Sequence, residues 1–258
     1  MRLSINVGLH YDLPEPCDLL LQVEVAQLDD QQVSNTRLDL SGTGPVARIP
    51  AQDEIGERLW LTASGALVCT YSAEVAIDRP ATDLNDLPAV PLHDLPGETV
   101  QYLMESRYCP AQDFQTLVAT DFGDLSGGAK ITAMSDWISA NIAYVPGASG
   151  PGTTATDTFI QRQGICRDFA HVMITLARAA GIPARFASVY SPDADPPDFH
   201  AVAQVYLAGN WHLVDPTGMS RPDNAAIIGI GRDAGDVAFL TSYGPVELRN
   251  QSVSVRRL

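Results

Sequence analysis

Three residues able to carry out acyl chemistry occur in the second half of the chain, in the order cysteine, histidine, aspartate. Cys166 lies two residues after a glycine, at the head of an apolar segment with helical periodicity, while His200 and Asp215 lie on two successive strand-like segments. A cysteine nucleophile needs a base to take its proton, and the base needs a third group to orient it. We therefore interpret Cys166, His200 and Asp215 as nucleophile, base and orienting carboxylate.

The position at a helix start favours reactivity of Cys166. A thiol with the ordinary pKa of about 8.5 is mostly protonated at neutral pH, whereas the partial positive charge of a helix N-terminus favours the thiolate. The backbone N–H of Cys166 is one of the donors that the first helical turn leaves unpaired, and one such donor to an oxyanion is worth about 100-fold or more in rate. A lone cysteine is usually a small buried hydrophobic residue, so the assignment depends on the other two residues.

Three histidines compete for the role of base. His171 lies five residues after Cys166, which places it about 140° around the helix and away from the thiol. His212 shares the strand face of Val214, opposite to that of Asp215. His200 opens its strand beside a loop, and we therefore assign the base to His200 and a structural role to His171.

The assignment carries a requirement on strand register. His200 and Asp215 reach the same face only if the hairpin between their strands pairs residues of opposite parity, as a two-residue or four-residue loop does. A register that pairs Val202 with Asp215 would set His200 and Asp215 diagonal to each other, within reach of long side chains. A three-residue loop without a bulge would separate them.

The surrounding pattern predicts an α+β fold. Residues 1–80 contain short alternating strands with turn signals, including a hairpin-like turn at Ser64-Gly65-Ala66, and we expect a small β-sandwich. Residues 81–98 are rich in proline and acids and predict a linker. Residues 99–258 predict a core of helices packed on an antiparallel sheet, with the clearest helix starting near Cys166 and ending at Gly181 and Pro183.

Several motifs in this core resemble the transglutaminase-like superfamily of papain-like thiol enzymes, in particular bacterial members with an extra N-terminal β domain. The matching motifs are Gly164-Ile165-Cys166-Arg167-Asp168-Phe169-Ala170, Ala179-Ala180-Gly181-Ile182-Pro183-Ala184-Arg185, Phe199-His200-Ala201, Val205-Tyr206-Leu207, Gly209-Asn210-Trp211, Val214-Asp215-Pro216-Thr217 and Gly231-Arg232-Asp233-Ala234-Gly235-Asp236-Val237. The match is specific for about 130–240 and weak for 1–80. The resemblance implies a Cys166–His200–Asp215 triad and acyl chemistry at amides through a thioester.

Two points depart from the family pattern or stay open. Val202 and Gln204 stand where the family often has a tryptophan and an acid, which affects the shape of the pocket rather than the triad. Besides the Cys166 backbone, the second oxyanion donor is not defined, and Gln161, Gln163 and Tyr144 are candidates from their positions.

The resemblance thus implies a cysteine-dependent amide hydrolase, similar to a protease or peptidase, with a peptide or protein amide as its substrate. The alternatives are a protein-glutamine acyltransferase that cross-links to amines, and a non-catalytic binding scaffold on the same fold. No metal and no cofactor are expected, because the acids lack a dense ligand pattern and the chemistry needs none.

Composition excludes other classes of function. The net charge of -15 repels phosphate backbones, so nucleic acid is an unexpected partner. No run approaches about 18 apolar residues and the N-terminus lacks the pattern of a secretory signal, so we expect no membrane span and a cytoplasmic location. The four cysteines lie far apart, which favours free thiols, with Cys17, Cys69 and Cys109 packed in the core.

Two further charged features allow more than one interpretation. The loop at 191–198 carries three acids just before His200, and it is either a rim that selects cationic groups or a solvated loop, which we favour. Arg185 could anchor substrate, although pairing with an acid is the interpretation we prefer.

Overall fold

The computed structural model describes all 258 residues, and its first part is a sheet of long antiparallel strands. Strands β1 (Arg2–Leu21) and β4 (Glu57–Ile77) pair along almost their whole length, and β2 (Gln31–Thr43) and β3 (Ala47–Pro50) pair with the other edge of β4. Buried and exposed residues alternate along β1 and β4, as the period of two in their sequences requires. One face of this sheet is therefore apolar and closes a core of 24 buried residues.

The strands of this part belong to one hydrogen-bonded sheet of six strands. The sequence pattern had instead predicted a β-sandwich. The predicted hairpin turn at Ser64-Gly65-Ala66 is wrong, because β4 continues through these residues. Gly65 has a φ of 75° and pairs with Leu13 at the point where the register of β1 against β4 shifts. The glycine thus marks a β-bulge, which bends a strand without ending it.

An irregular connection with one 3-10 turn at Leu92–Asp94 leads to the helical part. The helices before the nucleophile candidate are α1 (Gly97–Val100), α2 (Gln115–Asp121), α3 (Gly127–Asn141) and α4 (Ala155–Gln161). Two short segments, β5 (Ala143–Tyr144) and β6 (Gln163–Gly164), pair in parallel, and β6 leads directly into the next helix. None of the helices is both long and apolar enough to cross a membrane.

Helix α5 (Cys166–Ala179) is the centre of this part. Every residue from Asp168 to Arg178 is buried, because α3, α4 and the second sheet pack around the helix. These elements share a core of 26 buried residues. The helix ends where predicted, and Gly181 just beyond it takes a φ of 74°, a conformation that favours glycine.

The second sheet has the order β10-β7-β8-β9 and is antiparallel throughout. Its strands are β7 (Ala184–Tyr190), β8 (His200–Leu207), β9 (Asn210–Val214) and β10 (Ala226–Gly231). Helix α5 packs on β7 and β8. Helices on an antiparallel sheet confirm the predicted α+β class.

The chain finally returns to the first sheet. Strands β11 (Leu240–Ser242) and β12 (Glu247–Arg257) both pair antiparallel with β1, at its end and at its beginning. The sequence assigned all of residues 99–258 to one core, but the hydrogen bonds join these last two strands to the N-terminal sheet. That sheet is therefore built from both ends of the chain.

A buried arginine joins the two parts of the molecule. Arg185 is 5% exposed, and its Nη1 lies 3.5 Å from Oδ2 of Asp53, in the loop before β4. Its Nε donates to Oε1 of Gln204 at 2.8 Å, and its guanidinium lies 4.0 Å from the centroid of the Trp211 ring. The hydroxyl of Tyr102 donates to the same Asp53 oxygen at 2.6 Å. The prediction that Arg185 pairs with an acid is confirmed.

We expect Asp53→Asn to lower the free energy of unfolding by about 1–3 kcal/mol, because it leaves a buried guanidinium without its counter-charge. Asparagine tolerates the φ of 53° at this position, so the substitution tests the charge alone. Urea denaturation measures the change. The control is Asp39→Asn, which removes an exposed partner of Arg37 and should change stability by no more than about 0.5 kcal/mol. Equal effects of the two substitutions would contradict the prediction.

Candidate active site

Cys166 occupies the first position of α5, with its thiol partly exposed while the other three cysteines are buried. Ile165 before it is extended, and its backbone N–H donates to Oδ2 of Asp168 at 2.8 Å, which caps the helix start. Gly164 allows this approach, because a Cβ there would lie 2.7 Å from the Cβ of Asp168. The glycine two residues before the cysteine is thus required by close packing.

A buried polar network fixes the same helix start to a neighbouring loop. The Ser149 hydroxyl donates to Oδ2 of Asp168 at 2.5 Å, and Nη2 of Arg167 donates to Oδ1 of Asp168 at 3.0 Å and to the carbonyl of Gly150 at 2.8 Å. The Asp168 side chain is fully buried. This network holds the glycine-proline loop against the nucleophile candidate. Sequence reasoning did not find it, because Ser149 lies in a loop without periodicity.

The strand register brings His200 and Asp215 together. Strands β8 and β9 pair Leu207 with Asn210 and Ala203 with Val214, and Asp215 follows directly after the last paired residue of β9. The loop between them is the two-residue turn Ala208-Gly209, with φ values of 50° and 83°. Opposite-parity pairing, the requirement derived from the sequence, is therefore confirmed. Nε2 of His200 lies 2.7 Å from Oδ2 of Asp215.

The Asp215 carboxylate is held by four donors. Oδ2 accepts from His200 and from the Ser220 hydroxyl at 2.7 Å, while Oδ1 accepts from the Thr217 backbone N–H at 2.9 Å and the Thr217 hydroxyl at 2.7 Å. Burial alone would raise the pKa of Asp215, but these donors outweigh it and lower the pKa. The carboxylate therefore stays ionised and fixed. The role of Ser220 could not be predicted, because only the turn after β9 brings it back.

The contacts of the His200 imidazole favour its protonated form. Its side chain is 2% exposed, and burial would lower its pKa. The bond to Asp215 and the interaction with Cys166 outweigh burial and raise the pKa to about 9. Since Nε2 is bonded to Asp215, Nδ1 is the ring nitrogen that remains for another partner.

Cys166 and His200 open onto one pocket of about 490 Å³. Its wall is mostly apolar and aromatic, with Phe199 and Phe239 stacked at 4.6 Å between ring centroids. Tyr144 is part of this wall. Burial is the main reason that its pKa rises to about 12, and the charge of Cys166 adds to the increase while the Cys166 backbone N–H opposes it. Tyr144 and Cys166 thus line the same pocket, and the Tyr144 hydroxyl responds to the charge of Cys166.

The other candidates for the second oxyanion donor lie elsewhere. Gln161 is exposed at the end of α4, and Gln163 lies in β6; neither lines the pocket. Of the three sequence candidates, only Tyr144 reaches the cavity that Cys166 faces.

The remaining histidines near the site have structural contacts. His171 is fully buried, stacks on Tyr108 at 5.0 Å, and its Nε2 accepts from the Ala234 N–H at 3.1 Å. Burial lowers the pKa of His171 to about 3, so the ring is neutral. His212 lies in β9 with Nε2 at 3.2 Å from the carbonyl of Leu207. No group of three or more His, Cys, Asp or Glu side chains is arranged to hold a metal ion.

Comparison with known proteins identifies the family to which the chain belongs. The transglutaminase-like superfamily profile matches residues 116–216. The crystal structure of a candidate cysteine protease from Cytophaga hutchinsonii is similar over 99% of this chain and 90% of that chain, with a TM-score of 0.93 and 30% sequence identity. The chain belongs to the transglutaminase-like superfamily, as its sequence motifs predicted.

Two mycobacterial proteins share the core. An uncharacterised protein of Mycobacterium leprae is 33% identical over 119 residues, and one of Mycobacterium bovis is 30% identical over 133 residues. The matched regions cover 43% and 46% of this chain, and 42% of each mycobacterial protein. The chain thus matches less than half the length of these relatives.

The raised pKa of His200 predicts a pH dependence of stability. An unfolded histidine has a pKa of about 6.5, so a folded pKa of about 9 means that the native state binds the proton more tightly. This stabilisation is complete below pH 6.5 and is lost as the pH rises through 9. We expect the free energy of unfolding, relative to His200→Gln, to fall by up to about 3 kcal/mol between pH 6 and 10.

Urea denaturation at a series of pH values measures this difference. His212→Gln is the control: burial lowers the pKa of His212, so that ring is neutral above pH 7 and its replacement should leave the slope there unchanged. Parallel stability curves for the native protein and His200→Gln would refute the assignment of a protonated His200.

Proposed function

We propose that this protein hydrolyses amide bonds of peptides or proteins through a thioester on Cys166. The observation that carries the proposal is the shared pocket: a cysteine at a helix N-terminus faces the same cavity as a histidine bonded to a buried carboxylate at 2.7 Å. The similarity to a candidate cysteine protease over nearly the whole chain supports it. The reaction uses side chains and water only.

In the first half of the reaction, the Cys166 thiolate attacks the carbonyl carbon of the amide. The C–N bond then breaks as Nδ1–H of His200 gives its proton to the leaving amine, and the acyl group remains as a thioester. Asp215 keeps its bond to Nε2–H throughout, so the ring presents Nδ1 in both protonation states. The high pKa of His200 favours the thiolate–imidazolium pair before attack.

In the second half, water replaces the amine. Neutral Nδ1 of His200 takes a proton from water, the resulting oxygen attacks the thioester, and the C–S bond breaks to release the acid and restore the thiolate–imidazolium pair. A primary amine in the place of water would give the transamidation expected of a cross-linking enzyme. The two reactions are separated by assaying the same substrate with and without an added primary amine.

We further propose that Tyr144 and the Cys166 backbone N–H together stabilise the oxyanion. Helix α5 leaves the N–H of its first residue without an intrahelical partner, and Tyr144 lines the same pocket as Cys166. A phenol with a raised pKa keeps its proton at neutral pH and can donate it in a hydrogen bond. Two donors that converge on one developing negative charge are the usual requirement for acyl transfer.

The triad roles predict large losses of activity. Cys166→Ser and His200→Ala should each reduce hydrolysis at least about 1000-fold, and Asp215→Asn about 100-fold or more, because each removes a group that acts in the transition state. Peptide-library cleavage and mass spectrometry of a thiol-directed acylating probe measure this. His212→Gln is the matched control and should remain active.

The probe also separates an enzyme from a binding scaffold. Fast labelling of Cys166 that is lost in His200→Ala supports the proposed mechanism. Slow labelling of Cys166 at the same rate in the native protein and in His200→Ala would indicate a non-catalytic protein on this fold.

The oxyanion role predicts that Tyr144→Phe slows acylation of Cys166 by about 10- to 100-fold, because one donor to the oxyanion is lost. The loss should fall on the acylation rate rather than on substrate affinity, and single-turnover kinetics distinguish the two. Gln161→Ala, at an exposed position outside the pocket, serves as the control. Acylation by Tyr144→Phe at the native rate would exclude the phenol as a donor.

A further inference from the structure

A carboxylate without a counter-ion faces the candidate active site. Asp198 lies two residues before His200, and its half-buried side chain lines the pocket that contains Cys166. It is absent from every ion pair of the structure. Burial raises the pKa of Asp198, as expected for a carboxylate that lacks a basic neighbour.

The protein fixes this carboxylate by one oxygen only. Oδ1 of Asp198 accepts from the Phe199 backbone N–H at 2.7 Å and from the side-chain amide of Gln251 in β12. No hydrogen bond from the protein reaches Oδ2. Oδ1 of Asp198 is therefore held in place, and Oδ2 is free to accept a hydrogen bond from a ligand.

The pocket wall contains no free basic side chain that could neutralise Asp198. Arg167 is the one lysine or arginine that lines the pocket, and its guanidinium is bound to Asp168 and to the carbonyl of Gly150. His200 is bonded to Asp215. Every cation of the site is thus committed elsewhere.

The other acids of the same loop differ from Asp198. Asp193 pairs with Arg257 and accepts from the Asn224 amide, and Asp195 is exposed and outside the pocket. The loop as a whole is therefore neither a uniformly solvated segment nor a uniform acidic rim. Of the three acids, only Asp198 lines the pocket that contains Cys166.

The pocket around Asp198 strengthens its attraction for a cation. Thirteen of the 21 residues in the wall are hydrophobic, and they include Phe199, which follows Asp198 in the chain, and Phe239, which stacks on Phe199. Charges attract more strongly where apolar walls exclude water, and aromatic faces add to the binding of ammonium and guanidinium groups. An unpaired carboxylate among aromatic rings is complementary to a long basic side chain or a terminal ammonium.

We propose that Asp198 is a specificity residue that binds a cationic group of the substrate, an ammonium or guanidinium, beside the amide that Cys166 attacks. The inference rests on the proposed function of Cys166 and names the class of substrate: basic peptides. The free oxygen of Asp198 accepts from the cation in a charge-assisted hydrogen bond. Gln251 is a positioning residue that holds the carboxylate toward the pocket.

The test uses short peptides that carry a thiol-reactive electrophile at the C-terminus. One residue at a time is lysine, norleucine or glutamate, and each peptide is made with a free and with an acetylated N-terminus. The second-order rate of Cys166 modification is followed by mass spectrometry. We expect a preference of about tenfold or more for lysine over norleucine at one position, or for the free over the acetylated N-terminus; the two arms identify the source of the cation.

Two variants test whether Asp198 causes the preference for cationic probes. Asp198→Asn should bring the ratio between cationic and neutral probes to within about twofold, and it should react faster than the native protein with the glutamate probe. That gain cannot result from loss of folding. Asp195→Asn, which changes an exposed acid of the same loop, should keep the native ratio.

The outcomes separate this inference from the proposed function. If a norleucine probe modifies Cys166 in a His200-dependent manner but cationic and neutral probes react equally, the role of Asp198 is refuted and the thiol mechanism stands. If the cation preference persists in Asp198→Asn, the selectivity arises elsewhere and the inference is also refuted. If no probe modifies Cys166 selectively, the proposed function fails and the inference fails with it.

Discussion

The register of the hairpin between β8 and β9 is the constraint on which the candidate site depends. A two-residue turn at Ala208-Gly209 places His200 and Asp215 on one face, and a shift by one residue would send Asp215 to the opposite face. Both turn residues have positive φ, as this turn type requires, and Gly209 meets that requirement without strain. The backbone register thus brings the imidazole and the carboxylate to the same face, where they lie 2.7 Å apart.

The helix start that holds Cys166 is fixed in a different way. Here a buried carboxylate, Asp168, accepts from the Ile165 backbone, the Ser149 hydroxyl and the Arg167 guanidinium. A buried charge is stable only when its partners are complete, so the loop and the helix must be ordered together. Cys166 is consequently held by a capped helix, and His200 is held by a paired strand. Rigid elements of this kind are what precise positioning of a site needs.

The sequence allowed the prediction of those features that local periodicity controls. Cys166 at a helix start, His200 on a strand with Asp215 at the end of the neighbouring strand, and the structural role of His171 all follow from helical angle and strand parity. Ser220 and Gln251 could not be predicted, because their contacts depend on how a loop returns and on where the last strand pairs. Gly65 misled the turn prediction for a related reason: a glycine marks a bulge as readily as a turn, and only the partner strand decides between them.

The pairing of the last strand also changes how the N-terminal sheet relates to the site. Strand β12 is hydrogen-bonded to β1, and from that position Gln251 holds Asp198 while Arg257 binds Asp193. Both ends of the loop that precedes His200 are therefore held by the N-terminal sheet. The first 80 residues cannot be regarded as an appendage to the core, because without β1 the strand that positions this loop would have no partner. The position of Asp198 in the pocket wall thus depends on both parts of the chain.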